Sequence, residues 1–133
     1  MFEDTRPAEL DATGEDDPWA PFRIASAGER LRVLRELRDR GVPVMLHGPG
    51  GAALTTALWT LDAEQQCLRF SANATELQLA RLVEAVEVVA VAYNENVKLQ
   101  FDLHGLVRVR GATASTLQCR LPDEVYRFQR RSA

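Results

Sequence analysis

The chain has 133 residues and a formal net charge of −3, with 46% hydrophobic and 26% charged residues. This length suits one domain with a buried core, and the composition is that of a globular protein rather than a disordered or fibrous one. No apolar run approaches the roughly 18 residues of a membrane span, and no basic region precedes an apolar one at the N-terminus, which argues against membrane insertion and a secretory signal.

The acidic residues are concentrated at the N-terminus. Residues 1–20 carry seven acidic side chains against one arginine, without apolar periodicity. This pattern predicts a disordered acidic leader. We predict that residues 21–121 form the folded domain and that residues 122–133 form a basic junction.

The first ordered elements are a short lead-in and a helix. Phe22 and Ile24 alternate with polar neighbours, which predicts a short strand or an extended segment. Ser26 and Glu29 have the spacing of a capping box, so we expect a helix from there to about residue 40, where a glycine ends it. Its arginines alternate with acidic residues, which is typical of a solvated amphipathic helix.

After residue 41 the apolar period changes from near 3.6 to 2, which predicts strands. We expect strands at residues 42–46, 54–61, 67–70, 86–93, 97–101 and 106–120, the last one long or bulged. A second cap at Asn73 opens a helix to about residue 84. Six or seven strands and two helices, without a strand–helix–strand rhythm, predict a mainly β, α+β fold built as a small antiparallel β-barrel.

The same alternation predicts the core. Trp59 and Phe101 each continue an apolar series, so we place both inside. We expect the following side chains to be largely buried: Leu31, Leu34, Leu37, Val44, Leu46, Leu58, Val89, Val91, Leu99 and Phe101.

Residues with catalytic or ligand-binding chemistry lack the spacing that such chemistry needs. Residues 48–51 are glycine-rich, but no Gly-Lys-Ser/Thr follows, so they predict a hairpin turn rather than a phosphate loop. His47, His104, Cys67 and Cys119 have no metal-ligand spacing, and neither cysteine lies in a nucleophile motif. We predict no enzyme activity, no metal and no cofactor, with both thiols free in a reducing cytoplasm. A pI near 5.4 argues against nucleic-acid binding.

The C-terminal stretch carries a dense group of arginines. Pro122 and the two acids after it predict the first turn of a short helix. Arg127, Arg130 and Arg131 follow, with Gln129 between them. Guanidinium groups present paired donors that fit phosphate oxygens. The alternative is a solvated basic terminus.

Residues 121–131 read Leu-Pro-Asp-Glu-Val-Tyr-Arg-Phe-Gln-Arg-Arg. This run resembles the junction of YcgR-type flagellar brake proteins, where an N-terminal YcgR-like domain (PilZ-N) leads into a PilZ domain. The resemblance covers residues 22–131. It implies that Arg131 is the first arginine of the Arg-x-x-x-Arg pattern that grips cyclic di-GMP, with Arg127, Gln129 and Arg130 beside it. The second arginine and the PilZ barrel are not matched by this chain.

The resemblance implies a PilZ-like split barrel that acts as a regulatory adaptor. Such a domain would control motility by binding flagellar motor or switch proteins, in the cytoplasm at the flagellar basal body. Cyclic di-GMP would be a regulatory ligand only with a PilZ domain, and weakly bound or unbound by this chain alone. Two alternatives remain: a stand-alone protein-interaction barrel that binds no nucleotide, and a small split-barrel enzyme that binds flavin.

Overall fold

The structure is a computed structural model that describes residue 7 and residues 19–72, 75–111 and 115–129. The strands are β1 (Pro43–His47), β2 (Ala53–Asp62), β3 (Cys67–Ala72), β4 (Val88–Asn94), β5 (Val97–Leu103), β6 (Val107–Arg110), β7 (Ser115–Arg120) and β8 (Tyr126–Gln129). The helices are α1 (Ala27–Asp39) and α2 (Glu76–Glu84), and short 3-10 turns span Ala20–Phe22 and Pro49–Gly51.

All eight strands lie in one antiparallel sheet with the order β6-β7-β3-β2-β1-β4-β5-β8. The predicted mainly β, α+β class with two helices is therefore confirmed. The predicted small antiparallel barrel is not closed, because β6 and β8 end the sheet without pairing with each other over the described residues. The described residues contain eight strands rather than six or seven, because the expected strand at residues 106–120 is the antiparallel pair β6–β7 and Tyr126–Gln129 adds β8.

The helices begin where short polar side chains satisfy free backbone donors. The Ser26 hydroxyl accepts from the Glu29 amide at 3.0 Å, as predicted for α1. Gly41 follows the helix at φ 62°, a left-handed conformation that glycine adopts without strain. Helix α2 starts later than predicted. Its N-cap is Thr75, which exchanges hydrogen bonds with Gln78, while Asn73 lies outside the described residues.

The core lies between the inner face of the sheet and the two helices. Eight of the ten core predictions are confirmed as buried: Leu34, Leu37, Val44, Leu46, Leu58, Val91, Leu99 and Phe101. Leu31 and Val89 are only half-buried. Val91 packs on the outer face rather than in the main cluster, since it lies opposite Met45 of β1 while Ala90 and Ala92 point inward.

The prediction that Trp59 belongs to the core is wrong. Its side chain is 61% exposed, whereas Phe101 is 1% exposed. Trp59 directly follows Leu58, which is 3% exposed and faces the core, so the alternation of a strand already places the indole on the outer face. A β-bulge comes next, because Leu58 pairs with Phe70 and the following partner pair is Thr60 with Arg69, and it brings Leu61 rather than Thr60 back to the inner side.

The C-terminal stretch forms a strand, so the predicted helix at Pro122 is wrong. Residues Tyr126–Gln129 pair with β5 as β8. On the other side, the Ile24 amide donates to the Val125 carbonyl at 2.9 Å, and Arg23 forms an isolated β-bridge with Tyr126. Tertiary pairing on both sides therefore overrides the local Pro-Asp-Glu signal. Among the described residues, no helix combines the length and apolarity needed to cross a membrane.

Candidate functional site

Strand β8 carries the predicted site residues, and its register decides which way each one points. Arg127 pairs with Leu99 and Gln129 with Val97 of β5. Leu99 is a core residue, so the alternation of a strand places Arg127 and Gln129 on the inner side, toward α1. Arg127 is half-buried and Gln129 is exposed.

The structure brings two of the four predicted site residues to the same side of one strand. The other two, Arg130 and Arg131, lie outside the described residues. Sequence spacing predicted a group of four residues but not that Arg127 and Gln129 share one side of a strand.

Arg127 is tied to helix α1. Its Nη1 donates to Glu29 Oε1 at 3.0 Å, across 98 positions of sequence. The same carboxylate accepts two hydrogen bonds from Arg32, one turn further along the helix. The hydrogen bonds from Arg32 and then from Arg127 lower the pKa of Glu29 to about 2. Glu29 is therefore ionised at neutral pH, and it links β8 to the first turn of α1.

The opposite face of β8 is covered by an aromatic cluster that we define as Trp19, Phe22 and Phe128. The Phe128 ring centroid lies 5.0 Å from that of Phe22 and 5.9 Å from that of Trp19, the latter edge-on. The Lys98 ammonium lies 6.0 Å from the Phe128 ring centroid. Sequence reasoning missed this cluster, because Trp19 lies at the end of the acidic segment and no local spacing relates it to Phe128.

Arg23 contacts the edge of β8 that does not pair with β5. Its guanidinium lies 5.5 Å from the Tyr126 ring centroid and donates to the Tyr126 hydroxyl at 3.3 Å. It also lies 3.5 Å from a Glu124 carboxylate oxygen, and that carboxylate accepts from the Tyr126 hydroxyl at 3.1 Å. The segment before β8 is therefore held by charge, cation–π and backbone contacts together.

A cavity of about 200 Å³ lies beside residues 122–126. Its lining residues are Asp102, His104, Pro122, Asp123, Glu124 and Tyr126. Burial, more than its charged neighbours, raises the pKa of Asp102. Three carboxyl groups around one cavity disfavour a phosphate ligand there, so an anionic nucleotide would have to approach β8 from another side.

The other chemically active side chains are dispersed. Over the described residues, no group of three or more His, Cys, Asp or Glu side chains has the arrangement of a metal site. Cys67 and Cys119 are free thiols on the neighbouring strands β3 and β7, as predicted. Burial, with a smaller contribution from Cys67, raises the pKa of Cys119 to about 12. The glycine-rich turn at Pro49–Gly51 leads directly into strand β2.

Comparison with known families matches residues 22–127 to the PilZN domain of the flagellar regulator YcgR. Among curated proteins, the chain is 42% identical over 127 residues to a flagellar brake protein YcgR of Leptothrix cholodnii, covering 96% of this chain and 51% of that protein. It is 46% identical over 110 residues to a flagellar brake protein YcgR of Methylibium petroleiphilum, covering 83% and 48%. The chain thus spans about half the length of the curated relatives it matches, which are named as brakes and not as enzymes.

Two solved structures from Escherichia coli share the fold. YcgR in complex with c-di-GMP superimposes with a TM-score of 0.73 at 21% identity, over 84% of this chain and 48% of that one. The isolated YcgR-N domain superimposes with a TM-score of 0.70 at 19% identity, over 81% of this chain and 96% of that one. The described sheet and helices therefore have the architecture of a YcgR N-terminal domain.

Proposed function

The chain belongs to the PilZN family of YcgR-type flagellar regulators, and on that premise we propose that it is the regulatory domain of a cyclic di-GMP-responsive flagellar brake. In this proposal the domain acts in the cytoplasm at the flagellar basal body and controls motility by binding motor or switch proteins. The names of its curated relatives support the brake function. The E. coli YcgR structure, which contains c-di-GMP, supports the choice of ligand.

We further propose that the C-terminal arginines supply half of the nucleotide site. The observation that carries this is the fixed position of Arg127: its guanidinium is bonded to Glu29 and its backbone is paired in β8. Arg127 then acts as the anchor of the junction. Arg130 and Arg131 lie three and four positions after Arg127 and offer paired donors to the phosphates. Gln129 lies between Arg127 and these two arginines in the sequence.

Half of a site is expected to bind weakly. An exposed ion pair contributes about 0–1 kcal/mol, whereas immobilising a ligand costs about 4 kcal/mol or more. We therefore expect isothermal titration of these 133 residues with cyclic di-GMP to give a dissociation constant in the high micromolar range or weaker. A low-micromolar or tighter constant would contradict the half-site.

Adding a PilZ domain after Arg131 tests the same proposal from the other side. Titration of that longer chain should show restored binding, and Arg131→Ala should abolish it. Arg35→Ala is the matched control, because Arg35 is an exposed arginine of α1 that is far along the chain from the junction. If Arg131→Ala and Arg35→Ala bind equally well, the junction arginines do not hold the nucleotide.

A further inference from the structure

The side chain of Trp59 is the largest apolar group that the described fold turns to solvent at mid-sheet. It is 61% exposed and sits at the bulge of β2, the fourth strand of the eight. Exposing an indole forgoes the burial that stabilises most tryptophans. Trp59 follows the inward-facing Leu58, so the alternation of the strand holds the indole on the outer face of the sheet. An outward tryptophan that a paired central strand positions is therefore a candidate contact residue.

Two exposed arginines lie on the same outer face of the sheet as Trp59, one on β3 and one on β7. Arg69 of β3 lies at the bulge, opposite Thr60, and its Nε donates to Gln118 Oε1 of β7 at 2.9 Å. Arg120 lies next along the outer face of β7, paired with Cys67. Both arginines are exposed, and over the described residues neither guanidinium forms an ion pair.

Negative charge is nearly missing from the same surface. Of the outward-facing positions described on β2, β3 and β7, only Asp62 is a carboxylate. One of its oxygens accepts from the amides of Glu64 and Gln65, at 3.0 and 2.9 Å, in the turn that follows. Over the described residues, this face therefore combines an exposed indole with two guanidinium groups that form no ion pair.

We propose that Trp59, Arg69, Gln118 and Arg120 form a docking surface, the Trp59 surface, for an acidic segment of a partner protein. The inference rests on the proposed function, in which that partner is a component of the flagellar motor or its switch. Trp and Arg dominate the energetic centres of protein interfaces, and complementary charge steers and orients the partner. Two guanidinium groups are too few for nucleic acid, which selects extended basic surfaces.

The test is co-sedimentation of the 133-residue chain with isolated flagellar basal bodies that retain their switch ring. We expect Trp59→Ser and Arg69→Glu each to weaken sedimentation roughly tenfold or more, as loss of an interface centre does. Leu77→Ser is the matched apolar control, because Leu77 is 63% exposed on α2. Arg35→Glu is the matched charge control, because Arg35 is exposed on α1. Both controls should sediment like the unsubstituted chain.

The possible outcomes distinguish the docking surface from the proposed motor binding. If the chain binds basal bodies and both Trp59→Ser and Arg69→Glu bind equally well, the docking surface is overturned while motor binding stands. If the unsubstituted chain does not bind at all, both are overturned. Urea midpoints of the variants establish that each is folded, and Arg69→Glu keeps the test decisive should Trp59→Ser be unstable.

A fluorescence titration checks the chemical class of the partner. The chain has two tryptophans, so Trp19→Phe leaves Trp59 as the sole reporter. We expect its emission to be unchanged by phosphatidylglycerol vesicles or by a single-stranded oligonucleotide. A blue shift with either would assign the surface to lipid or nucleic acid and overturn the protein partner.

Discussion

The two edge strands, β6 and β8, have similar sequences and different surroundings. Each has four residues, Val-Arg-Val-Arg in β6 and Tyr-Arg-Phe-Gln in β8, and each pairs with one neighbouring strand. Strand β8 is also bonded to α1 through Glu29, covered by the aromatic cluster and bridged by Arg23 along its free edge. In β6, by contrast, Val107 is 45% exposed and Arg110 is exposed.

The comparison shows that an alternation of apolar and cationic residues does not determine how an edge strand is protected. Proteins blunt sheet edges by covering them or by placing charge on them. Here the covering residues of β8 come from the N-terminal side of the domain, about 100 positions away in sequence. Strand β8 is held from both faces and one edge, which suits a strand that leads into the proposed nucleotide site.

The largest effect is expected from removing core packing on β5, the strand that pairs with β8. Leu99 is a buried core residue and pairs with Arg127. Leu99→Ala should lower the free energy of unfolding by roughly 2–5 kcal/mol, measured by urea unfolding, because it leaves a cavity in the core next to β8. The matched change at the other edge, Val107→Ala, should cost no more than about 0.5 kcal/mol. Equal midpoints for the two variants would refute the asymmetry of the edges.

A smaller, pH-dependent effect is expected at Glu29. Arg32 and then Arg127 lower its folded pKa from 4.5 to about 2. The ionised carboxylate therefore adds stability that is present above about pH 4.5 and is lost as the pH falls toward 2. Glu29→Gln lacks this contribution, so its urea midpoint should lie below that of the unsubstituted chain at neutral pH and converge with it toward pH 2.

Glu36→Gln is the control for that experiment. Glu36 lies on the same helix and contacts Arg32 and Arg40 at 3.7 and 3.6 Å, without a contact to β8. Amide hydrogen exchange in β8 should be faster in Glu29→Gln than in Glu36→Gln. Identical exchange in the two variants would show that the Glu29–Arg127 pair does not hold the strand.

The smallest perturbation comes from labelling the native thiols. Cys119 lies on β7, the strand that β6 covers, and burial raises its pKa to about 12, whereas Cys67 is half-buried. At pH 8 we expect Cys67 to react first and Cys119 only as the β6 edge opens, because the thiolate is the reactive form. The unfolded chain should titrate two thiols without reductant. Rapid labelling of both in the folded chain would mean that β7 is open to solvent.

The elements predicted well from sequence are those set by local signals. Helix α1 begins at the Ser26 cap and is followed by Gly41, so its bounds are readable from residues within one turn. Strands β1 and β5 follow clean period-2 alternation. Six of the eight confirmed core positions lie on these three elements: Leu34, Leu37, Val44, Leu46, Leu99 and Phe101.

One error arises because distant pairing decides the outcome. The local signal at Pro122 favours a helix, yet β5 and residues 23–24 hold the segment that follows in a strand. The error at Trp59 has a local cause: Leu58 and Trp59 are consecutive, so the alternation of a strand allows only one of them to face the core, and that residue is Leu58. In the candidate site, Arg127 and Gln129 were identified by a motif, but the partnership of Arg127 with Glu29 joins two elements that no local spacing connects.

The antiparallel contact between residues 19–24 and β8 has a mechanical consequence. Arg23 bridges to Tyr126, and Trp19 packs on Phe128, so both segments leave the contact at the same end. A force that separates residue 19 from residue 129 would therefore open the contact like a zipper, first at the aromatic rings and then at the bridge. Contacts loaded one at a time yield at low force, whereas the core strands behind them are untouched. Tension between residues 19 and 129 would therefore separate residues 19–24 from β8 before β8 separated from β5.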